Sequence, residues 1–138
     1  MSEVNLFNES NLPFNRAPEE IRSVITSILS DHGQSLEWFN VILLDDDQHT
    51  ELNRSYLNHD YSTDVLTFDL RDIHGNGGAE VYINSDFAHS FSVEHNTEYE
   101  VERLIIHGCL HICGMEDHTD EGREKMVSEE NKYLKRFM

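Results

Sequence analysis

The spacing of apolar residues predicts two amphipathic helices, one near each end of the chain. In the first, apolar side chains recur at the intervals of a helix with one buried face. They are Ile21, Val24, Ile25, Ile28 and Leu29. Pro18 suits the first turn of this helix and Gly33 its end. In the second helix, which Thr119 is predicted to cap, Glu130 interrupts the apolar stripe. The predicted core face of that helix is Met126, Val127, Glu130, Tyr133, Leu134 and Phe137.

Four other segments are predicted to be strands, because they are rich in β-branched and aromatic residues and are bounded by turn-forming ones. They are Val4 to Phe7, Trp38 to Leu44, Thr63 to Leu70 and Ala79 to Asn84. The acidic run at 45–47 supplies an N-cap for a helix through about Tyr56. A shorter helix is predicted from about Ser85 to Val93. Strands mixed with helices predict an α/β or α+β domain.

The segment 107–118 carries the chemistry that the sequence predicts most directly. A capping box at Thr97 to Glu100 is predicted to start a helix that runs into this segment. Residues four apart on a helix lie on one face, with Cβ atoms about 5–6 Å apart. The imidazole rings of His107 and His111 can therefore converge on one ion. The apolar run just before them predicts a buried helix, where two imidazoles need a partner.

A third ligand is expected just after this helix. Gly114 is predicted to end the helix in a left-handed turn, and the returning chain brings Asp117 or His118 toward the ion. Three protein ligands leave a coordination position open for water, which suits hydrolysis better than structural zinc. Gly108 stands where H-E-x-x-H peptidases have their glutamate, so that class is disfavoured. Chance spacing among nine histidines is the alternative interpretation.

Length and composition fit one globular domain in a reducing compartment. The chain has 138 residues, of which 38% are hydrophobic. It has no apolar run of about 18 residues and no signal peptide, so we expect a soluble cytoplasmic protein. Cys109 and Cys113 each follow a histidine by two residues, a rotation of roughly 200° on a helix. We expect these thiols to face away from the metal and to form no disulfide.

The formal charge of −17 repels nucleic acids at long range and argues against nonspecific binding to them. An RNA substrate would therefore need local positive charge, from the metal or from Arg54, Arg71 or Arg103. A basic group near the C-terminus is explained more simply by a favourable interaction with a helix dipole. That group is Arg123, Lys125, Lys132, Lys135 and Arg136.

The metal segment resembles a motif of the YbeY family. Three other blocks resemble that family too, and the order of the blocks along the chain is that of the family. The family hallmark H-G-x-L-H-L-x-G-Y-x-H is similar to residues 107–117. The family block L-N-x-x-Y-R-x-K-D-x-x-T-D-V-L-S-F is similar to residues 52–68. In this chain that block contains Leu52-Asn53-x-x-Tyr56, Asp60 and Thr63-Asp64-Val65-Leu66-Thr67-Phe68. Residues 79–83 stand where the family has G-D-I-x-I, and Glu100-x-x-Arg103 precedes the first histidine. The resemblance covers roughly residues 36 to 134.

The resemblance implies a zinc-dependent, single-strand-specific endoribonuclease that acts in maturation of small-subunit ribosomal RNA and in ribosome quality control. It implies a small, mostly parallel mixed sheet packed with helices, with the metal-binding helix at the centre. It further implies one zinc ion per chain and a single YbeY-like domain over residues 1–138. The expected partner is ribosomal RNA or the small ribosomal subunit, with neither DNA nor a membrane involved.

One departure from the family pattern concerns the third metal ligand. The family's third histidine falls at Asp117 in this chain, and His118 follows it. A carboxylate is an acceptable zinc ligand, whereas His118 would require a shift of one residue in the turn. We therefore expect Asp117 to complete the site, with His118 as the competing ligand.

A second departure from the family pattern concerns the positively charged residue that is thought to interact with the substrate phosphate. The family's arginine after the tyrosine is Leu57 here, and its lysine two residues later is His59. His59, Arg54 or Arg103 could replace that cation, and we name Arg103 and His59 as candidate catalytic residues. Arg103 lies one helical turn before the first histidine. Its simpler role is an ion pair with Glu100.

These residues predict metal-assisted phosphodiester hydrolysis, with zinc held by His107, His111 and Asp117. The attacking group stays open between a metal-bound hydroxide and an RNA 2′-hydroxyl. Asp64 and Glu80 could orient the histidines, or they could bind backbone amides at strand ends. Two other functions also stay open. One is a ribosome-associated binding protein with a mainly structural zinc, which the acidic charge favours; the other is a metal-dependent hydrolase of a small substrate.

Overall fold

The computed structural model describes residues 3–58, 63–90 and 96–137, which form a four-stranded sheet with helices on both faces. The strands are β1 (Glu3–Asn8), β2 (Trp38–Leu44), β3 (Val65–Asp69) and β4 (Ala79–Asn84). The helices are α1 (Pro18–Asp31), α2 (Asp46–Leu57), α3 (Ser85–Ser90), α4 (Thr97–Ile112) and α5 (Asp120–Leu134), and a short 3-10 turn follows at Lys135–Phe137.

The sheet has the strand order β1-β2-β4-β3. Strands β1, β2 and β4 are parallel, and β3 pairs antiparallel with β4 at the edge. The glycine-rich segment between β3 and β4 forms a turn, in which the Asp72 N–H donates to the Asn76 carbonyl at 2.8 Å. The predicted α/β fold with a small, mostly parallel mixed sheet is confirmed.

Helix α4 lies against the centre of the sheet because a glycine allows close approach. Alternate residues of β2 and β4 are fully buried on the face that α4 covers, Val81 among them. A Cβ added at Gly108 would lie 2.6 Å from a Val81 methyl carbon and 3.4 Å from that of Thr67. The helix that carries both histidines is therefore central, as expected, and packs directly on β3 and β4.

An ion pair fixes the first half of α4 against the start of α1. Glu102 is buried on α4, and its Oε1 accepts a hydrogen bond from Arg16 Nε at 2.6 Å. Arg16 also donates to the Phe137 carbonyl at 2.6 Å and to Glu20 at 2.7 Å. Because Arg16 satisfies the buried Glu102 carboxylate, the first half of α4 is tied to the segment before α1 and, through the Phe137 carbonyl, to the C-terminal 3-10 turn.

Two expectations about helices need correction. The N-cap of α4 is Asn96 rather than Thr97, because the Asn96 side chain accepts from the Tyr99 N–H at 2.7 Å. The Thr97 hydroxyl instead makes a 2.8 Å hydrogen bond with His89 Nδ1. Val127 does not belong to the core face of α5, since 48% of it is exposed. The end of the helix predicted from Ser85 to Val93 lies outside the described residues.

Candidate metal centre

His107 and His111 lie one turn apart on α4, and their imidazole rings converge. The two Nε2 atoms are 3.0 Å apart, and the ring planes meet at 84°. Helix α5 flanks the first ring and strand β3 lies beside both. Both histidines are therefore only partly exposed. The i, i+4 spacing has produced the convergence that the sequence predicts.

The turn after α4 brings a carboxylate back to these rings. Gly114 has a φ of +96°, which a residue without a Cβ adopts at little cost. The chain reverses there, and the Met115 N–H donates to the Leu110 carbonyl at 3.1 Å. Asp117 follows this reversal and lies over the two rings.

Asp117, rather than its neighbour, completes the cluster. Its carboxylate oxygens lie 3.3 Å from His107 Nε2 and 3.6 Å from His111 Nε2. Tetrahedral zinc with bonds of 2.0–2.1 Å places its ligand atoms about 3.3–3.4 Å apart, so the spacing fits that ion. His118 points away: its side chain is 74% exposed, and its Nδ1 lies 3.5 Å from Glu116.

Outer hydrogen bonds set the tautomers of both rings. His107 Nδ1 lies 2.6 Å from Glu130 Oε2, and His111 Nδ1 lies 2.9 Å from the Met115 carbonyl oxygen. A carboxylate and a carbonyl only accept, so each Nδ1 carries the proton and each Nε2 presents a lone pair. Two lone pairs facing each other at 3.0 Å repel unless a cation or a proton lies between them. The two Nε2 lone pairs are therefore arranged as the ligands of a metal ion.

The charge on Glu130 also affects the ring that it contacts. Burial lowers the pKa of His107, but the hydrogen bond and the negative charge of Glu130 act in the opposite direction and leave that pKa raised. In a metal-free protein this favours a proton on the ring. In a metal-bound protein the same charge strengthens the imidazole as a donor.

Arg103 contacts α5 and not Glu100, so the predicted ion pair with Glu100 is wrong. Its guanidinium donates to Glu130 Oε1 at 2.6 Å and to Asn131 Oδ1 at 2.7 Å. It also donates to the Tyr99 hydroxyl at 3.1 Å. Arg103 thus holds the carboxylate that orients the first histidine, which makes it a positioning residue in this geometry.

Neither of the two carboxylates suggested as orienters bonds to the histidines. Asp64 accepts from the Val65 N–H at 2.8 Å, the role expected for a strand-end carboxylate. Glu80 accepts from the Tyr82 hydroxyl at 2.8 Å and lies 3.4 Å from Asn40. Glu80 lies on the sheet face opposite α4, whereas Asp64 lines the space beside His107 without bonding to it. The residue that the sequence reasoning missed is Glu130, and its signal was the polar interruption of an apolar stripe.

The other candidate cations do not reach the cluster in the part of the chain that the structure describes. His59 lies outside the described residues. Arg54 forms an ion pair with Glu51. Arg71 pairs with Asp69 at 2.6 Å, near the turn that follows β3. The assignment of a catalytic cation therefore stays a prediction.

Two cavities meet at His107. One, of about 250 Å³, lies between α4 and α5 and is here called the α5 cavity. The other, of about 500 Å³, runs along β3 past Leu57 and is here called the β3 groove. Asp64, His107 and Asp117 line both. An extended substrate can therefore pass over the cluster with one part on each side.

The two cysteines face away from this cluster, as expected. Both are free thiols, Cys109 fully buried and Cys113 partly buried. The hydrogen bond with Cys113, together with burial, raises the pKa of the Cys109 thiol. These thiols pack behind the helix and contribute no ligand atom to the cluster.

The comparison with known proteins decides the family. The family model described as Endoribonuclease YbeY matches residues 5–138. The chain belongs to the YbeY family. A protein named Endoribonuclease YbeY from Salinibacter ruber is 39% identical over 124 residues, covering 83% of this chain and 79% of the relative. Another of that name, from Bacteroides fragilis, is 42% identical over 112 residues, covering 80% of each.

A solved structure has the same fold. The solution structure of a Thermotoga maritima protein matches with a TM-score of 0.64 and 26% identity. The match covers 96% of this chain and 87% of that one. Among the described residues, no helix has both the length and the apolar character needed to cross a membrane.

Proposed function

We propose that this chain is a zinc-dependent, single-strand-specific endoribonuclease that acts in the cytoplasm in maturation of small-subunit ribosomal RNA and in ribosome quality control. The observation that carries the proposal is the convergence of His107, His111 and Asp117, whose donor atoms lie within 4.8 Å of one another. Membership in a family named for endoribonuclease activity supports RNA as the substrate class. Small-subunit ribosomal RNA is the partner expected from the family.

The chain's own groups would hold and shield the ion. His107, His111 and Asp117 would bind one zinc, whose Lewis acidity lowers the pKa of a water or polarises a phosphate oxygen. Glu130 keeps the proton of the first ring on Nδ1, and the Met115 carbonyl does the same for the second. Both Nε2 atoms are thereby presented to the ion in a fixed direction.

Charge makes the metal centre the main local attraction for a phosphate. The chain has a formal charge of −17, and Leu57 occupies the position of the family's arginine in the β3 groove. Long-range steering of RNA is therefore unfavourable. Arg103 is engaged by Glu130, so its role is to position the first histidine. His59 stays a candidate for direct contact with the substrate.

The experiment compares a short single-stranded RNA with the same sequence in a duplex, using zinc-loaded wild-type protein. We expect cleavage of the single strand only. The ends identify the attacking group: a 2′,3′-cyclic phosphate indicates attack by the RNA 2′-hydroxyl, and a 5′-phosphate with a 3′-hydroxyl indicates attack by water. The variant with both His107→Ala and His111→Ala should lose zinc and cleavage. Cleavage by a metal-free double variant would contradict the proposal.

The acidic charge and Leu57 favour a second candidate, a ribosome-associated binding protein whose zinc is mainly structural. In that case Asp117→Ala would lower the melting temperature while the folded variant still binds the small ribosomal subunit with wild-type affinity. No RNA cleavage would accompany zinc binding. The RNA assay above distinguishes the two functions.

A further inference from the structure

One wall of the α5 cavity is apolar, and the packing of the hydrophobic core does not account for the exposed side chain in that wall. Val127 is 48% exposed although it follows the fully buried Met126, and both line the cavity together with Leu104. An exposed apolar side chain alone is ordinary. Here, however, it borders a concave site that opens onto the metal ligands His107 and Asp117. Such a site, apolar with a few polar groups, is typical of ligand binding.

The cavity also carries positive charge at its rim. Arg123 lines it, and the partner that the structure gives this side chain is Asp120, three residues earlier on the exposed surface of α5. The two side chains are 56% and 93% exposed, so this ion pair contributes little and can exchange for another anion. In a chain with a formal charge of −17, an arginine beside a metal centre is a local attraction for a phosphate.

The size of the cavity limits its occupant. A volume of about 250 Å³ lies below the range of about 300–1,000 Å³ that holds drug-sized ligands. It suits one flat ring system. The cavity shares Asp64, His107 and Asp117 with the β3 groove. If a phosphate of an RNA strand lies at the metal centre, the nucleotide on one side of that phosphate would therefore lie at the α5 cavity. The RNA on the other side would continue in the β3 groove.

We propose that the α5 cavity binds the base of a nucleotide next to the cleaved phosphate of an unpaired RNA. The base packs on Leu104, Met126 and Val127, and Arg123 lies beside the adjoining backbone phosphate. This inference rests on the proposed function. A base that is paired and stacked in a duplex cannot enter such a cavity, so the cavity gives a physical reason for single-strand specificity.

The test uses zinc-loaded protein and a single-stranded RNA whose cleavage site has been mapped with the wild type. Abasic nucleotides are placed one at a time on each side of that site. We expect kcat/KM to fall about tenfold at one of the two flanking positions, the effect of losing the contacts of one base. Equal kcat/KM for the intact RNA and both flanking abasic RNAs would overturn the inference.

A variant and its matched control locate the effect in the cavity. Val127→Glu places a carboxylate in the cavity, whereas Ser128→Glu adds the same charge at the next, exposed position of α5. Val127→Glu should lower kcat/KM on intact RNA and show no further loss on the abasic RNA. Ser128→Glu should keep the full sensitivity to the abasic position. Equal sensitivity in Val127→Glu and the wild type would place the base elsewhere. A wild type that cleaves no RNA would overturn the proposed function itself, which a loss of base sensitivity alone would not.

Discussion

His107 Nδ1 and Glu130 Oε2 are joined by a 2.6 Å hydrogen bond between two helices, although the residues are 23 positions apart in the chain. Glu130 is buried, and its second oxygen accepts from Arg103. The packing of α5 on α4 therefore determines the direction of one ring of the candidate metal centre. A change in the contact between these helices is expected to change metal affinity.

Glu130→Gln tests this relationship. Glutamine keeps the size and one acceptor oxygen but removes the charge. Loss of an outer partner of a metal-binding histidine typically lowers metal affinity by about 10- to 100-fold, and we expect a decrease in that range. Zinc affinity would be measured by competition with a chelator. Glu129→Gln, next to it but paired at the surface with Lys132, is the control and should bind zinc as the wild type does. Equal affinity in both variants would show that the bond to His107 does not affect zinc binding.

Asp117→Ala and His118→Ala identify the third ligand. Because the Asp117 carboxylate lies at the cluster and His118 points to Glu116, only Asp117→Ala should lose zinc after dialysis. Metal content per chain, measured by mass spectrometry on folded protein, gives the answer. Loss of zinc in His118→Ala, with zinc retained in Asp117→Ala, would reverse the assignment.

The elements with strong local signals were predictable from the sequence. The bounds of β2 and β4 are those predicted, because each strand is a run of apolar and β-branched residues that ends at polar ones. The convergence of His107 and His111 follows from helical periodicity alone. The start of α4 was one residue off, since Asn96 and Thr97 are both good N-caps and the choice depends on the partner of Thr97.

The long-range partners were not predictable. Glu130 was visible only as a polar residue in an apolar stripe, and its contact with α4 depends on how the two helices cross. Arg103 bonds to Tyr99 on its own helix but forms its ion pair with Glu130 rather than with Glu100, because the buried Glu130 carboxylate needs a cation. Val127 shares the period of the core face, yet the cavity beside the metal centre leaves it uncovered.

Gly108→Ala should destabilise the fold. The added methyl would lie 2.6 Å from a methyl carbon of Val81, which is fully buried on β4. Overpacking of this kind costs about 1–3 kcal/mol, and the better helix propensity of alanine returns at most about 1 kcal/mol. We expect the free energy of unfolding to fall by about 1–2 kcal/mol in denaturant titrations.

A double variant checks the cause of that loss. Val81→Ala creates a cavity on its own, but it also removes the group that the new methyl meets. The two substitutions together should therefore cost less than their sum. Additive losses would mean that the helix does not approach the sheet as closely as described.

Tyr82→Phe should change how the free energy of unfolding depends on pH in the alkaline range. Burial and the hydrogen bond to Glu80 raise the pKa of Tyr82 from 10.0 to about 12. A raised pKa in the folded state contributes stability that is fully present below pH 10.0 and is lost as the pH rises through about 12. The free energy of unfolding of the wild type should therefore fall more steeply in this interval than that of the variant. Parallel curves from neutral pH through about 12 would contradict the prediction.

The central claim is that one zinc held by His107, His111 and Asp117 carries RNA cleavage. The most direct measurement adds zinc stepwise to metal-free wild-type protein and follows the initial rate of cleavage of a single-stranded RNA. The account predicts a rate that rises linearly and reaches a plateau at about one zinc per chain, with His111→Ala inactive at every addition. A rate that is independent of added zinc, or cleavage by His111→Ala at the wild-type rate, would contradict it.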